Sequence, residues 1–396
     1  MSTTRQQRGF GRMAYWGLCV SAAVIIYVYI GYPLLLMLVS RVVRRPVAKR
    51  FWTPSVAVLI AAHNEEAFIK RKIENILSLD YPSHLLRVVI GCDGCTDRTE
   101  DIAKSFSDPR VEVFAFPERR GKAHTLNALL SRVESEVIVF TDARQVLDRR
   151  SIGELVANLA DESVGAVTGS LVIRGSGQAA DSSGFYRRYD EFLRMHESML
   201  HSSVGAAGAI YAVRREFCKP IPEDTVLDDF VIPMRLVLGG LRVVYEPNAK
   251  AYDIPPSNLR QEMRRKIRTL AGNYQALWRL RLLLVPGVSP VWWQVVSHKL
   301  GRLAVPFAMI GAMAFGVVVF HQSVFCKAVL MAQVGFYTMA VCGALCSRWN
   351  FQARLFSFPY AFVVMNWAAL VAFWRFVQGR QSPVWERTFQ ETQHKA

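Results

Sequence analysis

The chain has few acidic residues for its length. Of its 396 residues, 32 are Asp or Glu against 48 Lys or Arg, which gives a formal net charge of +16. A nucleic-acid partner would account for such an excess, but the basic runs contain no nucleic-acid-binding motif. Basic residues flanking a membrane and a substrate that carries phosphates explain it better. The sequence therefore predicts no nucleic-acid partner.

Cysteine is sparse, and the seven that occur do not form a disulfide framework. They are odd in number and scattered over the chain, which indicates reduced thiols. Cys92 and Cys95 have the CxxC spacing, but no second pair completes a zinc site, and redox chemistry there is disfavoured. His196 and His201 resemble an HExxH motif, yet five residues separate them, so they lie on different faces of a helix.

Charged side chains are missing from residues 13–39. This run is long enough to cross a bilayer. It exceeds the length of a signal-peptide core and lacks a small-residue cleavage site, so a retained membrane anchor is favoured. Five basic residues lie between 41 and 50 against three before the run, which predicts that the N-terminus is outside and that residues from about 41 onward are cytoplasmic.

Three more apolar segments lie at about 303–320, 324–346 and 355–374, and they contain no Asp or Glu. Their lack of acidic residues argues against a proton-coupled transporter. Residues 282–302, with the paired Trp292 and Trp293, are typical of an interfacial segment. If these three segments all cross the membrane, the C-terminus lies outside. The basic C-terminal tail instead favours the inside, and both positions of the C-terminus stay open.

The middle of the chain alternates apolar strands with helical patterns. Strands are predicted over 56–62, 87–92, 110–115 and 137–142, and helices near 68–77, 97–106 and 121–133. This alternation indicates βαβ units and a parallel sheet. Three of the strands end at acidic residues, and the carboxyl ends of parallel strands are where ligands bind in open α/β sheets.

Two common phosphate-binding motifs are absent. The first strand is followed by Ala61-Ala-His-Asn-Glu-Glu66 instead of GxGxxG, and Arg119-Arg-Gly-Lys-Ala123 lacks the first Gly and the final hydroxyl of a P-loop. The sheet instead offers carboxylates at its strand ends. Carboxylates suit a metal-bridged diphosphate or a hydrogen-bonded ribose and base.

Several motifs follow one another in a familiar order. They are Ala62-His-Asn-Glu65, Asp93-Gly-Cys-Thr-Asp97, Gly121-Lys122 with Leu126-Asn127, Thr141-Asp-Ala-Arg144, Gly208 to Arg215, Leu227-Asp-Asp229 with Arg235, and Gln261-x-x-Arg264. In this order they resemble a membrane-bound family 2 glycosyltransferase of GT-A fold, similar to processive synthases of cellulose, hyaluronan or poly-N-acetylglucosamine. The resemblance implies an α/β cytoplasmic domain with a Rossmann-like mixed sheet, flanked by transmembrane helices.

The resemblance also assigns roles at the donor site. It implies that Glu65 and Asp93 hold the uridine and ribose of a nucleotide sugar, that Lys122 reaches the nucleotide, and that Asp142 lies at the diphosphate, directly or through Mg²⁺ or Mn²⁺. Simpler readings stay open: Glu65 as an N-cap, Asp93 in an Asx-turn, and Lys122 as a solvated helix residue.

Arg144 departs from the family, which usually has a second carboxylate there. Either Asp142 alone anchors the metal ion, or Arg144 contacts phosphate and partly replaces the metal. A retained metal is the expectation here.

The family pattern also aligns Asp229 with the catalytic base and Asp228 with its neighbour. An N-cap for the helix that follows is the alternative for Asp228. Gln261 and Arg264 match a motif that meets the diphosphate, but Arg265 stands where the family has a Trp beside the acceptor sugar. A single base acting from the opposite face implies inversion at the anomeric carbon.

These inferences divide the chain into eight parts. They are a tail (1–12), a transmembrane helix (13–40), a basic linker (41–53), a nucleotide-sugar half (54–145), an acceptor half (146–281), an interfacial segment (282–302), about three transmembrane helices (303–377) and a C-terminal tail (378–396).

The predicted function is transfer of a sugar from a UDP-sugar to a growing polysaccharide at the cytoplasmic side of the inner or plasma membrane. The alternatives are a single addition to a lipid-linked acceptor, and a non-catalytic scaffold or translocation component. Whether partner subunits assist export is left open.

Overall fold

The computed structural model describes residues 2–173, 178–254, 259–348 and 354–380. The predicted tail beyond residue 380 and the polar break at 349–353 lie outside the described residues. The described residues divide into two compact units. The first contains those within 2–38 and 295–379, and the second contains those within 39–294.

The helices and strands alternate through the second unit much as the sequence predicts. The strands are β1 Val56–Ala62, β2 Leu86–Asp93, β3 Val111–Phe116, β4 Val137–Phe140, β5 Val146–Leu147, β6 Val164–Ile173, β7 Tyr211–Arg214 and β8 Arg242–Asp253. Its helices are α3 Ile69–Leu77, α4 Thr99–Lys104, α5 Lys122–Leu130, α6 Ser151–Leu159, α7 Gln178–Leu200, α8 Asp228–Leu238, α9 Leu259–Arg279 and the short α10 Trp292–Gln294.

One eight-stranded sheet carries this unit, in the order β3-β2-β1-β4-β7-β6-β8-β5. The first four strands in that order run parallel, with Ile60 opposite Ile90 and Val58 opposite Val139. Strand β7 then pairs antiparallel with β4 and β6, so the sheet is mixed. The predicted α/β fold is confirmed.

Burial explains why β1 and β4 form central strands. Every residue of both is buried, and a β-branched apolar run of this kind favours a parallel strand covered on both faces. Helix α3 packs its Ile69, Ile73 and Ile76 into the same core. The core thereby fixes the strand ends where the acidic residues lie.

The first unit consists of helices: α1 Ser2–Ile26, a π-helical turn Tyr27–Gly31, α2 Tyr32–Val42, α11 Gly301–Val318, α12 Val324–Arg348 and α13 Arg354–Val377. Helix α2 runs past the boundary of this unit at residue 38. Small residues allow the helices to approach closely. A Cβ at Gly17 of α1 would lie 2.6 Å from the ring of Phe315 in α11.

Four helical stretches are long and apolar enough to cross a membrane: Gly9–Val42, Trp292–Val318, Val324–Cys346 and Leu355–Val377. The sequence predicted all four, but it began the second one at 303. Trp292 to Leu300 is already helical, including a π-helical stretch Val295–Leu300. Its His298 and Lys299 interrupt the apolar pattern from which the start was predicted.

Candidate active site

Three neighbouring strands bring their acidic residues to one edge of the sheet. Strand β1 lies between β2 and β4, and Glu65, Asp93 and Asp142 come at or just after the carboxyl ends of these strands. Asn64 has a left-handed φ of 58°, and its side chain bonds to the backbone N–H of Thr96 at 2.8 Å. The loops after β1 and β2 are thus tied together beside the half-buried Glu65.

Asp93 is buried and anchors a neighbouring loop. Its two oxygens accept the backbone N–H groups of Arg120 and Gly121 at 2.8 and 2.9 Å. Gly121 has φ 101°, in a region that favours glycine, and it directly precedes α5. Asp93 therefore fixes the start of α5, whose first residue is Lys122, and its predicted contact with uridine or ribose stays a prediction.

Lys122 joins the two predicted halves of the domain. Its Nζ donates to Asp142 Oδ1 at 2.9 Å and lies 3.1 Å from Asp228 Oδ1. Burial would lower the pKa of the Lys122 ammonium, but Asp142, Asp228 and Asp229 together raise it above its usual value. Lys122 is thus a fixed cation between the end of β4 and the start of α8, and not the solvated helix residue of the simpler reading.

The two adjacent aspartates of α8 have different surroundings. Asp228 is only 5% exposed, and beside Lys122 it accepts a hydrogen bond from the Tyr211 hydroxyl at 2.9 Å. Burial, followed by Asp228 and Asp229, raises the pKa of that tyrosine well above its ordinary value. Asp229 is partly exposed. The N-cap of α8 is Leu227, so the alternative of an Asp228 N-cap is wrong.

A glycine-containing turn packs against Asp229. A Cβ at Gly208 would lie 2.9 Å from Asp229 Oδ2. The turn is held by the N–H of Ala206, which donates to Asp229 O at 2.7 Å, and by the N–H of Ala207, which donates to Thr168 Oγ1 at 2.8 Å. Any side chain at position 208 would therefore displace the Asp229 carboxylate.

Arg144 is paired inside the protein. Its side chain is 13% exposed, and its NH2 group lies 2.8 Å from Asp253 Oδ2 at the end of β8. Gln145 donates to the same oxygen at 3.1 Å, and Asp253 Oδ1 accepts the N–H of Ile254 at 2.8 Å. Asp142, with a side chain 44% exposed, is the carboxylate of this strand end that faces the open edge.

Electrostatics around Asp142 are dominated by cations. Burial acts to raise the pKa of the Asp142 carboxyl, but Lys122, Arg144 and Lys72 lower it below its usual value. Asp142 is therefore ionised at neutral pH. Within the described part of the chain, no group of three or more His, Cys, Asp and Glu residues could hold a metal ion by itself.

Helix α9 contributes an arginine that the sequence motif did not single out. Burial lowers the pKa of Arg268, and Asp142, Asp228 and Asp229 counter that effect, so its guanidinium lies in the field of the same carboxylates. Arg264, one turn earlier, is exposed, and the side chain of Gln261 lies outside the described residues. Arg265 pairs with Glu262 at 3.0 Å.

Four residues of this arrangement were missed by sequence reasoning: Lys72, Tyr211, Asp253 and Arg268. Two of them carried a signal. Lys72 occupies the apolar face of the helix that contains Ile69, Ile73 and Ile76, and Arg268 follows Arg264 by one helical turn. Nothing in the local sequence indicates that Tyr211 or Asp253 is near Asp228 or Arg144.

Several known proteins are similar to this chain in sequence or in fold. The poly-β-1,6-N-acetyl-D-glucosamine synthase of Staphylococcus aureus (strain COL) is 25% identical over 235 residues, which cover 57% of this chain and 56% of the relative. A probable glycosyltransferase of Bacillus subtilis (strain 168), YdaM, is 25% identical over 232 residues, 56% of this chain and 55% of that protein. The chain thus spans about half the length of the curated relatives it matches.

Among solved structures, the mannosyltransferase PcManGT of Pyrobaculum calidifontis, in complex with GDP-Man and Mn²⁺, has the same fold. Its TM-score is 0.71 at 24% sequence identity, with 92% of this chain and 99% of that chain covered. Residues 54–272, more than half of the chain, match the family described as "Glycosyltransferase like family 2". With its carboxylate-lined sheet edge and paired aspartates, the chain belongs to this glycosyltransferase family.

Proposed function

We propose that the protein is a membrane-bound inverting glycosyltransferase that moves a sugar from a nucleoside diphosphate donor to a growing polysaccharide. The observation that carries this proposal is the position of Lys122 between Asp142 and Asp228. One cation thereby joins the donor-side strand end to the helix that starts with the paired aspartates. Donor and acceptor chemistry would meet at that point.

The charges suit departure of a diphosphate. Breaking the anomeric C–O bond leaves negative charge on the nucleoside diphosphate while the sugar ring becomes positive. Lys122 contacts both Asp142 and Asp228, and the guanidinium of Arg268 lies in the field of the same carboxylates. Fixed cations aimed at developing charge lower the barrier. Arg264 and Gln261 precede Arg268 on α9 by one and about two helical turns. They are proposed to contact the same diphosphate.

A divalent ion is proposed to bind at Asp142. Mg²⁺ is often held by one or two protein carboxylates while phosphate oxygens and waters complete its shell. The half-exposed, ionised Asp142 fits such a one-carboxylate site, and Asp253 does not because its oxygens are occupied by protein donors. When bound, the ion would supply further positive charge at the diphosphate.

Asp229 is proposed as the base that removes the proton from the acceptor hydroxyl. Asp228 binds both Lys122 and Tyr211, so it is assigned to orienting Lys122. Asp229 is partly exposed in the first turn of α8. Attack by the activated hydroxyl from the face opposite the diphosphate gives inversion.

The first test compares the wild-type protein with Asp229→Asn in membranes supplied with UDP-sugars, GDP-mannose and Mn²⁺. We expect Asp229→Asn to lower transfer by about a thousandfold, within the range of a lost general base, while nucleotide binding is retained. Asp101→Asn, on the exposed side of α4, is the matched control. Near-normal transfer by Asp229→Asn would remove Asp229 from the mechanism.

Product size distinguishes two kinds of transferase. A high-mass product from one donor supports polysaccharide synthesis, as in the staphylococcal synthase. A product with a single sugar on lipid would support the second candidate function, a single addition to a lipid-linked acceptor. The observation that favours this candidate is Arg265, which stands where the family has a Trp beside the acceptor sugar. No turnover with any donor would leave a non-catalytic scaffold or translocation component. These experiments do not address whether partner subunits assist export of the product.

Metal removal tests the role of Asp142. We expect excess EDTA to abolish transfer and added Mn²⁺ or Mg²⁺ to restore it, because only one carboxylate and the donor phosphates would hold the ion. Asp142→Asn should raise the Mn²⁺ concentration needed for half-maximal rate. Full activity in EDTA would instead mean that Lys122, Arg144 and Arg268 alone stabilise the negative charge of the departing diphosphate.

A further inference from the structure

A lysine lies in the hydrophobic core below the site. Lys72 is 1% exposed and shares the buried face of α3 with Ile69, Ile73 and Ile76. An ammonium in such a place is costly even when paired, and an apolar side chain of similar volume often serves the fold as well or better. Stability alone does not account for a lysine at this position.

Its ammonium contacts both ends of the turn that follows β4. Lys72 Nζ donates to Thr141 Oγ1 and to the carbonyl oxygen of Gln145, each at 2.8 Å. Asp142 and Arg144 lie between these two contact points. The turn that presents Asp142 therefore closes around a single buried amino group. Burial lowers the pKa of Lys72 to about 7, and the two hydrogen bonds hold the turn in either protonation state.

From there the hydrogen bonds continue in two directions. Thr141 donates to the carbonyl oxygen of Ala209 at 2.7 Å, and Ala209 directly follows the Gly208 that packs against Asp229. Gln145 donates through its side chain to Asp253, the partner of Arg144. One buried group is thus connected to the donor-side turn and to the turn beside the proposed base.

We propose that Lys72 is a positioning residue, which holds the Thr141–Gln145 turn so that Asp142 faces the donor diphosphate and keeps the Gly208–Ala209 segment in place beside Asp229. The proposal rests on the proposed transfer from a nucleoside diphosphate donor. It assigns Lys72 no contact with substrate. Its effect on transfer passes through Thr141, Gln145 and their neighbours.

The test uses the full-length protein in detergent and the variant Lys72→Met, which keeps the length of the side chain and removes the charge. Binding of UDP and GDP with Mn²⁺ is measured by calorimetry, and kcat is measured separately. We expect Kd for the preferred nucleotide to rise about tenfold, the scale of lost hydrogen bonds to a charged group. We expect kcat to fall about a hundredfold, as for a reacting group displaced by about 1 Å. Thermal stability should fall modestly, because the buried carbonyl oxygen of Gln145 loses its donor.

Asn75→Ala is the matched control, because Asn75 bonds from the same helix to the backbone of Leu147 beyond the turn. It should leave Kd within about twofold, since it loses local hydrogen bonds alone. Thr141→Val repeats the test with Lys72 in place, should Lys72→Met fail to fold. It should weaken nucleotide binding, and the double variant should be no worse than Lys72→Met.

Two results would overturn the inference while leaving the proposed function intact. One is wild-type Kd and kcat in a folded Lys72→Met or Thr141→Val protein. The other is an equal loss in Asn75→Ala, which would indicate general loosening of α3. Failure of the wild-type protein to bind either nucleotide would instead reject the proposed function, and this inference with it.

Discussion

At the scale of single residues, the site works by giving neighbouring groups of the same type different surroundings. Asp228 is buried between Lys122 and Tyr211, whereas Asp229 is partly exposed beside a glycine turn. The chain positions the two carboxylates next to each other, and packing gives each of them different contacts.

A prediction at this scale concerns Gly208. A methyl group there would lie 2.9 Å from Asp229 Oδ2, so Gly208→Ala should push the carboxylate aside and lower kcat about 100-fold, as for a misplaced reacting group. Nucleotide binding should not change. Steady-state kinetics with nucleotide calorimetry checks both.

Gly153→Ala in α6 is the control, because a Cβ there meets nothing within 4 Å. Alanine within a helix should stabilise the protein by about 0.5–1 kcal/mol and leave kcat unchanged. Normal kcat in Gly208→Ala would mean that the turn yields and that Asp229 needs no such space.

At the scale of secondary-structure elements, the start of helix α5 depends on a carboxylate from a different strand. Asp93 at the end of β2 accepts two backbone N–H groups just before Lys122. The sequence assigned this residue to the uridine and ribose. The structure places it where it also determines where α5 begins.

Asp93→Asn distinguishes these two roles. An amide would present its NH₂ group to one backbone N–H, which should cost about 1–3 kcal/mol of unfolding free energy. Nucleotide affinity should fall too, because Lys122 loses its support. Thermal unfolding and calorimetry of the same preparation measure the two effects.

The control is Asp80→Asn, which removes an exposed ion pair with Arg149 and should change stability by less than about 0.5 kcal/mol. Weaker nucleotide binding in Asp93→Asn at unchanged thermal stability would favour direct contact with the nucleoside over support of α5.

At the scale of the whole molecule, four apolar helical stretches flank the sheet-containing region in sequence, one before it and three after it. The basic residues at 41–50 favour the cytoplasmic side for the region after the first helix. If all four helices cross the membrane, an even number of crossings returns the chain to the side from which it started.

Reporter fusions test this arrangement. Green fluorescent protein joined after Pro290, just before the second apolar stretch begins at Trp292, should fluoresce, because that point is expected on the cytoplasmic side. Alkaline phosphatase joined after Arg380 should be active outside. A fusion after residue 53 is the control for the first crossing. An inactive phosphatase after Arg380 would mean that one of the last three helices does not cross.

Sequence alone determined the features that repeat over short distances. Long apolar runs indicated four candidate membrane segments, and the alternation of apolar strands with helical patterns indicated the parallel strands. Ordered motifs indicated the family and the acidic residues Asp93, Asp142, Asp228 and Asp229. The membrane segments and strands follow from local periodicity and hydropathy, which operate within a few turns or one strand. The family and the acidic residues follow from the resemblance that the ordered motifs carry.

Only the tertiary structure decided how distant residues meet. Asp253 of β8 forms an ion pair with Arg144, Tyr211 of β7 donates a hydrogen bond to Asp228, and Lys72 of α3 donates one to Thr141, next to Asp142. The partners in these pairs are 109, 17 and about 70 residues apart in the chain. No local sequence pattern predicts such contacts, because they form only when the core packs. A charged or polar group that becomes buried then needs a partner, and that partner comes from the strand or helix that packs beside it.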